Sequence, residues 1–513
     1  MNEMTPPSAA APSENAFVRP DAVAGLALPS PASDVPLPGV EGQTLIYAAT
    51  AEPFAFVPHA APKDADAIVA AARDAFEHGP WRRMPVTQRA AIMRRISALI
   101  LENAEELAQL QTLETSIVIS QSRGMHTSRT AENFTFFADL LAGHAGESYE
   151  QSGRYLSIVT REPVGVAVLI APWNAPLVLA SMKLAAALSL GNSVIIKPSE
   201  YAPLAVLRLV ELVREAGVPE GVVQVACGTG PGIGNALVAH PGADVVGFIG
   251  GTETGKRIMA TAAGSLKKVG LELGGKSANI ILASADLGRA VDGSLLAIYA
   301  GNGEQCLAGS RILVEDRVAD EFIARFVART QALTIGDPFD PASEIGPMAF
   351  ASHYEKLLGF GDLAHADAAY TVLTGGKRVE GKGAGYFFAP TVVEATDNAT
   401  DLCQTELFGP FAMVQRVAGL DEALSVANDS EFGLASYIWS NDLPSVMKAR
   451  RELRAGTVWV NTPMTRDLRS PFGGYKQSGI GRDGLPGSIE LFTEEKTTLI
   501  PQDPLMLPAM GSD

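Results

Sequence analysis

Apolar residues recur along the chain with two periods. From Thr87 to about Leu113, the residues Ile92, Ile96, Leu99, Ile100, Leu107 and Leu110 fall on one side of a helix, with Thr87 as its N-cap. Val164 to Ile170 is a continuous run of the buried-strand type, closed by Pro172. A helix is expected over Leu177–Leu190, stopped by Gly191-Asn192, and then a strand over Ser193–Lys197, ended by Pro198. The helix Leu204–Ala216 closes on Gly217-Val218-Pro219. Val222–Val225, Val245–Ile249 and Ala278–Leu282 read as further short strands, and a second alternating pattern runs from about Arg311 to Val460. Strands alternating with helices predict an α/β architecture with parallel, doubly wound sheets. Such sheets bind ligands at the carboxyl ends of their strands. Three polar motifs directly follow strands: Pro172-Trp173-Asn174, Lys197-Pro198-Ser199-Glu200 and Gly250-Gly251-Thr252.

Length adds two or three domains to this picture, with no internal repeat, in 513 residues. The net charge of -17 argues against nucleic acid as a partner. It also means that an anionic substrate needs a local basic pocket. Three cysteines, Cys227, Cys306 and Cys403, are no disulfide framework and point to a reducing compartment. No Cys/His cluster has metal-ligand spacing, so no metal is expected. Residues 1–38, rich in Pro, Ala and Ser, read as a flexible tail without the order of a signal peptide. The most apolar run, Val164–Trp173, is too short to span a bilayer, so the expectation is a cytoplasmic protein with no membrane partner.

Two residues stand out chemically. Cys306 lies in Gly303-Glu304-Gln305-Cys306-Leu307-Ala308-Gly309, where small residues permit close approach of a ligand and a backbone N–H is free to hold an oxyanion. The alternative is a buried structural thiol, the reading that also suits Cys227 and Cys403. Glu272, in Leu271-Glu272-Leu273-Gly274-Gly275-Lys276-Ser277, is a carboxylate on an apolar strand; burial would raise its pKa toward that of a general base. The alternative is an ion pair with Lys276 on a turn. Gly228 to Gly234 only loosely matches a dinucleotide fingerprint. Gly250 to Lys256 has phosphate-loop spacing, but Arg257 stands where Ser or Thr must be.

Taken in order, these motifs, with Glu406-Leu407-Phe408-Gly409-Pro410 and Pro471-Phe472-Gly473-Gly474, resemble the aldehyde dehydrogenase superfamily from about Pro62 to Pro501. The resemblance implies a Rossmann-like NAD-binding domain (39–143 and 162–274), an α/β catalytic domain (275–482) and a small β oligomerisation flap (144–161 and 483–505). It implies oxidation of an aldehyde to an acid through a thioester on Cys306, with Asn174 holding the oxyanion and Glu272 activating water. It implies NAD as cofactor, with NADP as the alternative. Pro172, Trp173, Lys197, Ser199, Glu200, Gly230, Phe248, Gly250, Gly251, Leu273, Glu406 and Phe408 are the cofactor contacts, and the protein is a homo-oligomer, a dimer or tetramer. Gly251 stands where the family more often has serine. Acyl-CoA-forming relatives lack the glutamate base, so Glu272 points to water as the acyl acceptor; a non-catalytic relative would be expected to have lost the thiol or the base.

Arg466-Asp467-Leu468-Arg469 resembles the hydroxymuconic semialdehyde dehydrogenases, nearest the 5-carboxymethyl-2-hydroxymuconate semialdehyde branch. Arg466 would then grip a substrate carboxylate, with Arg129 as a second cation. The competing reading pairs Arg466 with Asp467 or a neighbouring subunit. Pro463-Met464-Thr465 departs from the bulkier residues usual there, which keeps a neutral aromatic or aliphatic aldehyde as the alternative substrate.

Overall fold

The computed structural model describes residues 17, 19–143, 146–507 and 510–511. A six-stranded sheet has the order Gly479–Ile480, Lys268–Glu272, Val245–Ile249, Val166–Ile170, Ser193–Lys197, Val223–Val225. All neighbours are parallel except Gly479–Ile480, which runs antiparallel to Lys268–Glu272. Its central strands alternate their buried side chains between two helical layers. Ala167, Leu169, Val194 and Ile196 pack with residues of the helices Pro176–Ser189 and Leu204–Glu215. Val166, Val168, Ile195 and Val246 pack with Ala65–Glu77 and with Ile258 of Thr252–Ala263. Val166–Ile170 pairs with Ser193–Lys197 on one side and Val245–Ile249 on the other, so strand order reverses there and a crevice opens at the carboxyl ends.

A second sheet has seven strands in the order Tyr370–Thr374, Thr391–Ala395, Phe411–Val417, Arg311–Glu315, Ala278–Ile281, Ala435–Trp439, Thr457–Val460, antiparallel only at its first pair. A third, antiparallel sheet joins Thr493–Pro501, Tyr155–Pro163 and Glu147–Gln151 and lies largely on the surface. No helix of the described residues is long and apolar enough to cross a membrane.

The structure departs from four expectations. The helix expected over 87–113 is two helices, Val86–Glu102 and Ala104–Thr115. Asn103 breaks it, leaving helical dihedrals at φ -108° and ψ 23° while its Nδ2 donates to Leu99 O, a local bond that competes with the helix. Pro85, not Thr87, is the N-cap. Of the tail, residues 1–16 and 18 lie outside the described residues, but it is no free tail beyond them. Val23 is buried, Leu26 and Leu28 pack on the core, and Ser33 bridges to Phe56, because packing there removes the three apolar side chains from water. Residues 483–492 do not belong to the small sheet: Asp483 is buried in an ion pair and Phe492 is fully buried. Residues 144–145 of the expected flap lie outside the described residues.

Candidate active site in the crevice of the first sheet

A cleft of about 450 Å³ occupies the crevice. Pro172, Trp173 and Asn174 line it from the end of one strand, Lys197, Ser199 and Glu200 from the next, and Phe248, Gly250 and Gly251 from the third. Gly230 and Leu273 complete that side. Cys306, Glu272, Glu406 and Phe408 close the other end, where the second sheet meets the first. Residues expected from six separate motifs thus meet in one space. Arg129 and Arg466 do not line this cleft; they line a second one of about 370 Å³, with Asn133, Met182 and Asp467.

Glycines let the loops approach. A Cβ on Gly275 would stand 2.5 Å from Cys306 O, and one on Gly274 would collide with the Glu406 carboxylate. One on Gly303 would collide with the Gly409–Pro410 backbone, and one on Gly473 would stand 2.6 Å from Glu272 Oε1. These contacts explain why the motifs around Cys306, Glu272 and Phe408 are glycine-rich.

Asn174 Nδ2 donates to Glu304 O at 2.8 Å, which fixes the amide beside the thiol loop and leaves its second hydrogen free to donate. Burial pushes the Cys306 thiol up to about 12; the carboxylates Glu406 and Glu272 add to this and Arg466 opposes it. Glu272 ends its strand, buried, with Oε2 unpartnered; burial first and Asp483 second hold it well above the ordinary carboxyl range. The alternative Glu272–Lys276 pair does not form. Lys276 Nζ is buried with no hydrogen-bond partner, and burial pushes Lys276 down to about 7. Glu406 accepts from Gly275 N at 2.9 Å and burial pushes it up to about 7. At the far end, Lys197 Nζ donates to Pro198 O at 3.0 Å and to Glu200 Oε2 at 3.3 Å.

Arg466 is not paired with Asp467, which is bound by its neighbour Arg469. The Arg466 guanidinium lies 4.2 Å over the Phe472 ring, and its Nη2 faces Met182 Sδ at 2.8 Å. Its Nε is buried without a partner. Arg129 faces Met125 Sδ at 3.8 Å.

Sequence reasoning missed a buried ion pair between Lys183 and Asp483 at 2.8 Å, next to Glu272. Lys183 carried a signal, as the sole charge in the apolar helix Pro176–Ser189. Asp483 carried none. It also missed His353, whose ring packs against Trp173 and Phe408.

Residues 40–498 match the model of the aldehyde dehydrogenase family. The chain belongs to that family. It is similar to the 5-carboxymethyl-2-hydroxymuconate semialdehyde dehydrogenase of Escherichia coli, 40% identical over 442 residues, 85% of this chain and 93% of that protein. It is 38% identical over 445 residues to the 2-hydroxymuconic semialdehyde dehydrogenase of Pseudomonas sp. (strain CF600), covering 85% of this chain and 91% of that one. The crystal structure of a betaine aldehyde dehydrogenase from Staphylococcus aureus in complex with NAD+ superposes with a TM-score of 0.90 at 36% identity, covering 94% of this chain and 96% of that chain. This aldehyde dehydrogenase is an NAD(P)-dependent oxidoreductase. Its cleft fits the nucleotide. Gly230 and Gly251 line it with nothing within 4 Å of where a Cβ would stand, and an ammonium–carboxylate pair sits at one end with the buried Glu406 carboxyl at the other.

Proposed function

We propose that Cys306 is the nucleophile, Asn174 the oxyanion donor and Glu272 the general base of this dehydrogenase, and that its substrate is an aldehyde carrying a carboxylate. The observation that supports the catalytic roles is the meeting of Cys306, the held Asn174 amide and the buried Glu272 at one end of the nucleotide-shaped cleft.

A thiol pushed up to about 12 is protonated at neutral pH and must lose its proton as it attacks. Glu272 has a raised pKa, suited to taking that proton and later to taking one from water. The free hydrogen of the Asn174 amide and the Cys306 N–H hold the oxyanion; one such donor contributes about 3–4 kcal/mol to the barrier. Bound NAD would supply the hydride acceptor, and Cys306 would hold the substrate carbon beside it. Water activated by Glu272 then hydrolyses the thioester and releases the acid. Lys197 and Glu200 would hold the adenosine ribose, where a carboxylate accepts from hydroxyls and repels a 2′-phosphate, so NAD would be preferred over NADP. Pro172, Trp173, Ser199, Gly230, Phe248, Gly250, Gly251 and Leu273 shape the rest of that cleft, where Glu406 would hold the nicotinamide ribose and Phe408 would wall the ring.

The substrate reading is supported by Arg466. Among the described residues it makes no salt bridge, it is half-buried with its Nε enclosed and unpartnered, and its charge is felt by both Cys306 and Glu272. A guanidinium so placed is completed by a carboxylate. The similarity to two semialdehyde dehydrogenases agrees with this, and Arg129 in the same cleft is a second cation. We further propose that residues 39–143 and 162–274 form the NAD-binding domain and 275–482 the catalytic domain. The exposed sheet of Glu147–Gln151, Tyr155–Pro163 and Thr493–Pro501, which shows Tyr149, Leu499 and Ile500 to solvent, joins copies into a homo-oligomer in the cytoplasm.

The test is NADH formation with hydroxymuconic semialdehydes, succinic semialdehyde, benzaldehyde and a long-chain alkanal, for wild type, Arg466→Ala and Cys306→Ala. Cys306→Ala is expected to lose all turnover while still binding NADH. Arg466→Ala is expected to lose its lead on carboxylated substrates and keep benzaldehyde. Neutral aldehydes leading, with no effect of Arg466→Ala, refute the substrate reading and leave the catalytic one standing.

A further inference from the structure

We infer that His353 is a positioning residue for hydride transfer: its Nε2–H fixes the Phe408 carbonyl, and with it the ring that walls the nicotinamide end of the cleft. This rests on the reading that Cys306 reacts beside a bound nicotinamide, and adds to it a residue which that reading does not use.

His353 lies on the helix Ala351–Ala366, 8% exposed, with Nε2 at 2.7 Å from Phe408 O. A carbonyl oxygen only accepts, so Nε2 carries the proton. Burial pushes the imidazole down to about 4, which keeps it neutral with this one N–H to give. Phe408 needs such an anchor. Its φ of 60° places a bulky residue in the left-handed region, which persists only where the surroundings enforce it. Trp173 is the other constraint. Its ring stands edge-on to Phe408 at 5.3 Å and to Phe350 at 5.0 Å, and 5.4 Å from the imidazole itself. Phe408 follows Glu406 by two residues, and both face the cleft, so a shift of the Phe408 backbone moves both walls of the nicotinamide end.

The thiol side has separate support. Glu304 Oε1 accepts from Ala349 N at 3.0 Å, and the Glu304 carbonyl holds the Asn174 amide. Its carboxyl lies 3.6 Å from His353 Nε2, too far to compete with the Phe408 carbonyl at 2.7 Å. Loss of the imidazole N–H therefore leaves the Phe408 carbonyl without its hydrogen-bond donor and leaves the oxyanion donor held. Hydride transfer should slow while attack by Cys306 on an ester continues.

The experiment compares His353→Phe, which keeps a ring but has no N–H, with His353→Gln, which restores a donor. Three rates or affinities are read: the single-turnover burst of NADH, NADH affinity by fluorescence titration, and hydrolysis of 4-nitrophenyl acetate by Cys306 without cofactor. In His353→Phe the burst is expected to slow about tenfold, equivalent to about 1.4 kcal/mol, and NADH to bind several-fold more weakly. Ester hydrolysis and the KM for aldehyde should stay within about twofold, and His353→Gln should recover most of the burst. Parallel loss of ester hydrolysis, or no recovery by glutamine, overturns the inference, since either marks a merely structural role. If His353→Phe does not fold, His353→Leu takes its place in the same comparison. Turnover by Cys306→Ala would instead overturn the catalytic reading, and this inference with it.

Discussion

Asp483→Asn removes the negative charge from a buried pair and leaves the positive one in place. Lys183 Nζ stands 2.8 Å from Asp483 Oδ1, with side chains 3% and 2% exposed, so water cannot replace the lost partner. Leaving one member of such a pair uncompensated costs about 3–5 kcal/mol. The perturbation also reaches Glu272. After burial, Asp483 is the largest cause of the raised Glu272 pKa, while Lys183, Arg466 and Arg482 pull it down. With Asp483 neutral, the three cations act on Glu272 unopposed, and its pKa falls. The acid limb of the turnover–pH profile should therefore move to lower pH. Lys183→Met/Asp483→Leu removes both charges. It should be far less destabilised than the single variant, and its acid limb should lie between that variant and wild type. Urea unfolding followed by tryptophan fluorescence supplies the stabilities, and steady-state NADH formation supplies the limb. A double variant no more stable than Asp483→Asn, or an acid limb that moves up in Asp483→Asn, refutes the reasoning.

Three further outcomes are expected. With the Cys306 thiol pushed up to about 12, inactivation of the cofactor-free enzyme by iodoacetamide should rise about tenfold per pH unit from roughly pH 6 to 9; a plateau below about pH 8 would contradict it. Gly274→Ala drives a methyl group into the Glu406 carboxylate and away from Gly275 N, so NADH affinity should fall about tenfold while ester hydrolysis by Cys306 persists; an unchanged titration contradicts this. Glu114 Oε2 accepts from Leu204 N at 2.6 Å and Oε1 from Ala205 N at 3.0 Å, holding the start of the helix Leu204–Glu215. Glu114→Gln turns one acceptor into a donor and should cost about 1–3 kcal/mol. Burial raises Glu114 from 4.5 to about 8, so its stabilisation is complete below about 4.5 and lost as pH rises through about 8. The gap between wild type and the glutamine variant should narrow between pH 6 and pH 9, as measured by urea unfolding.

Much of the site was legible because it is built from loops that directly follow strands. A run such as Val245–Ile249 announces a buried parallel strand, and whatever follows it must lie at the sheet's carboxyl edge. Pro172, Lys197 and Gly250 could be placed together on that rule alone. Where the rule was silent, the reading was incomplete. The break at Asn103 depends on one side-chain bond inside an otherwise regular apolar pattern. The fixing of Val23, Leu26 and Leu28 depends on a surface supplied by other elements. Arg466 next to Asp467 suggested a local pair, but Asp467 went to Arg469, and Arg466 turned inward onto Phe472 and Met182.

Periodicity, strand-ending prolines and glycine-rich loops are local properties, and they determined the α/β alternation, the position of the crevice and the candidacy of Cys306 and Glu272. The tertiary structure alone decided which groups surround them. Lys183 and Asp483 are 300 residues apart, and Asn174 reaches Glu304 across 130. Glu272 owes its raised pKa to burial and to Asp483, not to its sequence neighbour Lys276. The electrostatics and anchoring of the site come from such long-range meetings, and desolvation exists only once the two sheets have closed on each other.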